Sequence, residues 1–146
     1  MSQMIFVNLP VTDLARSTAF YEALGAPKNP KFSNEMASMV SFAPAVNVML
    51  LTHGFFGTFT SKPIIDAHTS CQVLLCISAE SPAAVDALVE KAGGAGGKLD
   101  PTPKQDFGAM MYGRSFEDPD GHIWEVMWMD AAAAEQGASA LEPVAA

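Results

Sequence analysis

Ser81-Pro82-Ala83-Ala84-Val85-Asp86-Ala87-Leu88-Val89-Glu90-Lys91-Ala92-Gly93-Gly94 is the clearest helix signal in the chain, and an earlier segment that repeats its layout decides the fold. Ser81 is a good N-cap, and Pro82 suits the first helical position, where a backbone N–H would go unpaired anyway. Val85, Leu88, Val89 and Ala92 fall at the i, i+3, i+4, i+7 spacing of a buried helix face, and the glycine pair marks an end. The earlier segment has Asp13 as N-cap, a partial apolar stripe of Leu14, Phe20, Tyr21 and Leu24, then Gly25 followed by Pro27. From 13 to 81 and from 25 to 93 is one step of 68 residues, the mark of a duplication.

Outward from the helices, each unit has the same order of extended pieces. A strand precedes each helix, at 5–11 and at 72–78. Three pieces follow it: 31–32, 36–42 and 46–52 in the first unit, 97–99, 109–116 and 123–129 in the second. The expected class is α+β, with two βαβββ modules over 4–53 and 71–129. A single unit of this kind leaves a sheet face bare beside its lone helix, so the two must pack together. The linker at 54–70 carries Phe55, Phe56 and Phe59 among small and polar residues, and reads either as a connector packed on the core or as a lid over a cavity. The Ala-rich tail, 130–146, is broken by Gly137 and Pro143, has no apolar stripe, and is expected to be loosely ordered.

Composition excludes several classes of partner. In 146 residues, 49% apolar and 16% charged side chains support a buried core. Sixteen acidic against eight basic residues give a net charge of −8, which repels a nucleic-acid backbone and an anionic membrane surface. No run of 18 apolar residues occurs and the start lacks a signal-peptide pattern, so a cytoplasmic protein is expected. Cys71 and Cys76 read as members of one strand with side chains on opposite faces, too far apart to bridge, and are taken as small core residues. His53, His68 and His122 read as surface or turn residues.

Two stretches resemble a known family. Phe6-Val-Asn-Leu-Pro-Val-Thr-Asp-Leu-Ala-Arg-Ser-Thr-Ala-Phe-Tyr-Glu-Ala-Leu-Gly25 is similar to the first strand and helix of the vicinal-oxygen-chelate proteins, the glyoxalase/bleomycin-resistance/dioxygenase superfamily. Phe116-Glu-Asp-Pro-Asp-Gly-His-Ile-Trp-Glu125 is similar to their penultimate turn and last strand. The resemblance covers about 4–129 and is nearest to lactoylglutathione lyase-like members. It implies that the modules form a curved mixed sheet around a cavity, and that two chains combine as a homodimer.

Metal-using members of that family hold a divalent ion through one ligand each from the first, fourth, fifth and last strands. Here those positions fall on Phe6, Leu50, Gln72 and Glu125, of which only Gln72 and Glu125 can donate. A catalytic divalent site needs about three protein ligands, so the expectation is a weakly held ion, with Asn8 as a third oxygen donor, or no metal at all. Asn8 lies two residues beyond Phe6 and shares its side of the strand. In the last strand Ile123, Glu125, Met127 and Met129 alternate with Trp124, Val126 and Trp128, which places the Glu125 carboxylate among apolar neighbours, where it needs a partner.

Tyr112 and Arg114 share a strand face, and Arg114 could bind an anionic ligand, pair with Glu125, or be satisfied by a neighbouring acid. The Asp118-Pro119-Asp120-Gly121 turn has a local explanation in proline and glycine chemistry. Two functions remain. One is a lyase or isomerase in which Glu125 moves a proton on a carbonyl compound, with glyoxalase I activity expected to be weak or absent for want of metal ligands. The other is a non-catalytic binder that sequesters a small molecule or antibiotic, as bleomycin-resistance members do.

Overall fold

Alternation along the first strand, β1 (Ile5–Val11), sets the layering: Leu9 and Val11 are buried while Phe6 and Asn8 are exposed on the other side. In the computed structural model, which describes residues 3–138, β1 runs parallel to β3 (Val46–Thr52), and β2 (Ala37–Ala43) pairs antiparallel with β3 on its far side. Helix α1 (Leu14–Ala23) starts where the Asp13 carboxylate accepts the Arg16 N–H, and stops at Gly25, whose φ of +92° lies in the left-handed region that glycine tolerates. The first of the three extended pieces expected after this helix, 31–32, is absent. Residues Pro30–Phe32 form a 3-10 turn instead, because Pro30 cannot donate to a ladder and the Asn29 side chain takes the Lys31 N–H.

The linker opens with a short helix, α2 (His53–Phe56), before the second module. There β4 (Leu75–Ser78) pairs parallel with β8 (Ile123–Met129), β7 (Met111–Glu117) runs antiparallel to β8, and two-residue strands β5 (Lys98–Leu99) and β6 (Gln105–Asp106) edge β7. The expected α+β class holds, with the strands divided between a three-stranded and a five-stranded mixed sheet. Strand β4 begins three residues later than its sequence suggests, since β8 starts only at Ile123 and leaves residues 71–74 without a ladder partner. Cys71 therefore sits in a loop, and Cys76 points away from the helix-covered side; both are exposed free thiols, not the core residues expected.

Helix α3 (Pro82–Gly94) has the predicted Ser81 cap and ends, as expected, on the glycine pair. Gly93 is inside the helix, where a Cβ would lie 2.7 Å from the Leu99 side chain, and the left-handed residue is Gly96, at φ +105°. The left-handed glycines that follow the two helices are thus Gly25 and Gly96, and the second helix is the longer. At the other end of the chain, the tail is ordered further than expected: α4 (Ala131–Gln136) is capped by Asp130 and docked by Ala133, only 2% exposed. The rest of that expectation, 139–146, lies outside the described residues.

The two modules share one core. Leu9, Val11, Phe20 and Tyr21 from the first meet Val85, Val89, Phe116 and Trp124 from the second, with Tyr21 edge-on to Trp124 at 6.2 Å between ring centres. The Asp118–Gly121 turn does more than reverse the chain, because it also fastens the modules together. Asp118 accepts the Tyr21 hydroxyl at 2.7 Å, Trp124 Nε1 donates to that hydroxyl at 3.0 Å, and Asp120 accepts the Thr12 N–H and the hydroxyls of Thr12 and Ser17. Burial pushes the Asp118 carboxyl above the usual carboxylate range and, with the adjacent Asp118 charge, holds the Tyr21 phenol well above its usual value.

Candidate functional site

The seam between the modules is closed at one end and open at the other. Near the end of β1 the His122 ring donates through Nε2 to the Pro10 carbonyl at 2.8 Å, an acceptor that fixes this nitrogen as the protonated one. Next to this closure, Asn8, Leu9 and Pro10 on one side and Gln72, Val73 and Leu75 on the other border a cavity of about 460 Å³. That is a size suited to a small organic ligand. Phe56, Ile64, Ile65 and Ala67 of the linker supply a further, mostly apolar wall, while Lys62, Cys71 and Gln72 add polar groups.

The linker holds this position because it lies directly on the turn. Gly121 has φ +91°, and a Cβ there would sit 2.6 Å from the His68 nitrogen and 2.7 Å from the Ala67 carbonyl carbon. Of the three linker phenylalanines, none belongs to the central core cluster. Phe56 lines the cavity, and Phe55 packs edge-on against Phe59, whose ring is 62% exposed.

Among the residues singled out from sequence, Asn8 and Gln72 both line the cavity. Phe6 is on the Asn8 side of β1 but half-exposed and outside the cavity lining. Leu50 is turned the other way. It pairs with Leu9 across the parallel β1–β3 ladder, where opposite residues share a face, so it is buried with Leu9 under the helices. Asn47, Met49 and Leu51 continue the Phe6–Asn8–Pro10 side.

Glu125 does not meet Gln72 in this cavity. On the same face of β8, Ile123 reaches the cavity, but Glu125 falls into a separate pocket of about 100 Å³ beside Cys76, Gln105 and Met127. Its carboxylate makes no hydrogen bond or ion pair with any described residue. The neighbouring Cys76 thiol is held above its ordinary pKa by burial and then by the Glu125 charge.

Arg114 borders that pocket too, but its guanidinium lies with Tyr112 on the opposite, helix-covered face of the sheet, so it does not pair with Glu125. The Arg114 guanidinium, 6% exposed, grips Asp100 with two bonds of 3.0 and 2.8 Å and reaches Asp86 and Glu90 of α3 at 3.0 Å each. Tyr112 donates its hydroxyl to Asp86 at 2.7 Å. Of the alternatives left open for Arg114, satisfaction by neighbouring acids is the one observed. Its hydrogen bonds hold Asp100 below the usual carboxylate range, and Asp86 is lowered first by Tyr112 and then by Arg114.

These placements do not fit a divalent ion of the kind the resemblance implies. Phe6 and Leu50 offer no donor atom, Leu50 is on the wrong side of its sheet, and Gln72 and Glu125 line different hollows. Among the described residues no three His, Cys, Asp or Glu side chains are grouped to hold a metal. His122, read from sequence as a turn residue, emerges as a wall of the cavity. Its odd spacing from Glu125 gave no sign of this, because its position comes from the long-range bond to Pro10.

Comparison with known proteins agrees with this architecture. A family model described as Glyoxalase/Bleomycin resistance protein/Dioxygenase superfamily matches residues 3–126, and the chain belongs to that superfamily. A hypothetical protein from S. aureus has a similar structure, with a TM-score of 0.70 and 28% identity over 88% of this chain and 95% of its own. A glyoxalase/bleomycin resistance protein/dioxygenase family enzyme from Burkholderia phytofirmans gives 0.69 and 18% over 88% of this chain and all of its own. A fosfomycin resistance protein from Listeria monocytogenes gives 0.65 and 17% over 91% and 98%. No curated protein matches the chain. Among the described residues, no helix is long and apolar enough to cross a membrane.

Proposed function

We propose that the protein binds a small, largely apolar organic molecule in the cavity between β1, the segment before β4 and the linker. The observation that carries this reading is the cavity itself: a hollow of about 460 Å³ with apolar walls and a few converging polar groups, Asn8, Lys62 and Gln72. The test is a thermal-shift screen of small aromatic and carbonyl compounds on the native protein and on Val73→Trp, which fills the cavity from a half-exposed wall position. A ligand that raises Tm in the native protein should lose its effect in the variant. Equal shifts in both would place the ligand elsewhere and refute the reading.

A lyase or isomerase acting on a carbonyl compound, of the lactoylglutathione lyase type, is the second reading, and the unpartnered Glu125 carboxylate is what favours it. It is the weaker of the two, since Arg114, which could steady a developing oxyanion, is committed to the other face. Glu125→Gln separates them: a binder keeps its ligand, whereas an enzyme of this kind loses turnover. A cytoplasmic homodimer accompanies either reading. Met4, Ile5, Phe6, Val73 and Leu74 present apolar surface suited to a second copy, and a single monomeric species in sedimentation would remove the dimer.

A further inference from the structure

The walls of the cavity carry one fixed charge, and it is positive. Lys62 lines the cavity and no aspartate or glutamate does, although acidic residues outnumber basic ones by sixteen to eight in the chain. The acid nearest to it in sequence, Asp66, lines the adjoining groove instead, where it accepts the His68 backbone N–H. Two local features fix the backbone at Lys62. Its N–H donates to the Thr60 hydroxyl at 3.1 Å, and Pro63 disfavours helical backbone at the residue before it.

The Lys62 ammonium makes no hydrogen bond or ion pair with any described residue, in contrast to the Arg114 guanidinium, which three carboxylates hold. The side-chain amides of Asn8 and Gln72, which border the cavity from β1 and from the segment before β4, make none either. A neutral amide offers both N–H donors and an oxygen acceptor, so it does not choose between ligand charges. The sign of the ligand is therefore decided by Lys62. An amine entering the cavity would meet a like charge and no carboxylate to pair with, whereas a carboxylate would gain a charge-assisted hydrogen bond.

We propose that the ligands this cavity selects are amphipathic monocarboxylates. An aromatic or branched apolar body packs against Ile64, Ile65, Val73 and Leu75, and the carboxylate pairs with the ammonium of Lys62 at the exposed edge. This rests on the cavity being the ligand site, and adds to that reading the sign and the place of the ligand's charge.

The test is calorimetric titration of the full chain at pH 7.4 with three probes that share one body: 4-phenylbutyrate, 4-phenylbutyramide and 4-phenylbutylamine. The carboxylate should bind about tenfold tighter than the amide, and the amine more weakly than either. In Lys62→Gln the gap between acid and amide should shrink to about twofold or less, and in Lys62→Arg it should persist, because either cation can pair with a carboxylate. Tm should be unchanged in both variants, since Lys62 is exposed. Acid and amide bound equally by the native protein, with Val73→Trp abolishing both, would overturn the carboxylate assignment and leave the cavity reading intact. A preference for the acid that survives Lys62→Gln, or no binding of the acid at millimolar concentration, would overturn the assignment too. Acid binding that Val73→Trp leaves unchanged would overturn both readings.

Discussion

The two faces of the sheet formed by β4, β8 and β7 are made from alternate residues of the same strands, yet they have opposite characters. Toward the helices lie Tyr112, Arg114, Phe116, Trp124 and Val126. Every polar group named there has partners: the guanidinium has three carboxylates and the indole N–H has the Tyr21 hydroxyl. Away from the helices lie Cys76, Glu125 and Met127, exposed or half-buried, with Glu125 making no hydrogen bond to any described residue. One face spends its polar groups on holding the fold. The other leaves a carboxylate and a thiol free to react with something from outside.

Removing Arg114 should break the first face most. Arg114→Met leaves Asp86, Glu90 and Asp100 crowded around an uncharged side chain, and the expected loss of unfolding free energy in urea is about 3 kcal/mol. A loss below about 1 kcal/mol would mean that apolar packing alone holds that face.

The same network sets the response to acid. Asp100 and Asp86 have folded pKa values below their unfolded ones, so their stabilisation is full above the ordinary carboxylate range and is lost as pH falls through the lowered values. Asp118 behaves oppositely: its value is raised by burial, so protonation at low pH favours the folded state at that site. Between pH 4 and pH 2 the native protein should therefore lose stability more steeply than Arg114→Met, in which Asp100 and Asp86 no longer have the guanidinium to lower them. Parallel denaturation curves across that range would show that other carboxylates govern acid unfolding.

Much of this architecture is legible in the chain because it rests on local signals. The Asp13 and Ser81 caps, the proline that opens α3, and the alternation of Ile123, Glu125 and Met127 with Trp124 and Val126 all depend on residues near one another in sequence. The errors arise where a distant partner decides. Alternation tells which residues of β3 share a side, but only the parallel register with β1 shows that the side containing Leu50 packs with Leu9 in the central core. Arg114 was an open choice between ligand and acid until α3 and Asp100 were brought over it. Gln72 and Glu125 came out in separate hollows because residues 71–74 outrun their ladder partner, a consequence of where β8 begins.

The smallest effect on stability is expected at Glu125 itself, and it sharpens the contrast between the faces. A half-buried carboxylate with no hydrogen bond among the described residues contributes little to the folded state, so Glu125→Gln should change unfolding free energy by less than about 0.5 kcal/mol. Its effect should instead appear in the chemistry of its neighbour. Cys76 lies directly across the β4–β8 ladder from Glu125, and the carboxylate charge adds to burial in keeping its thiol protonated. Withdrawing that charge lowers the thiol pKa and increases the reactive thiolate at a given pH. In a Cys71→Ser background, where Cys76 is the remaining thiol, Glu125→Gln should make its reaction with a disulfide reagent at pH 8 faster than in the Glu125 parent. An unchanged rate together with a large loss of stability would reverse the assignment of the two faces, making Glu125 part of the fold and leaving the open side without a free carboxylate.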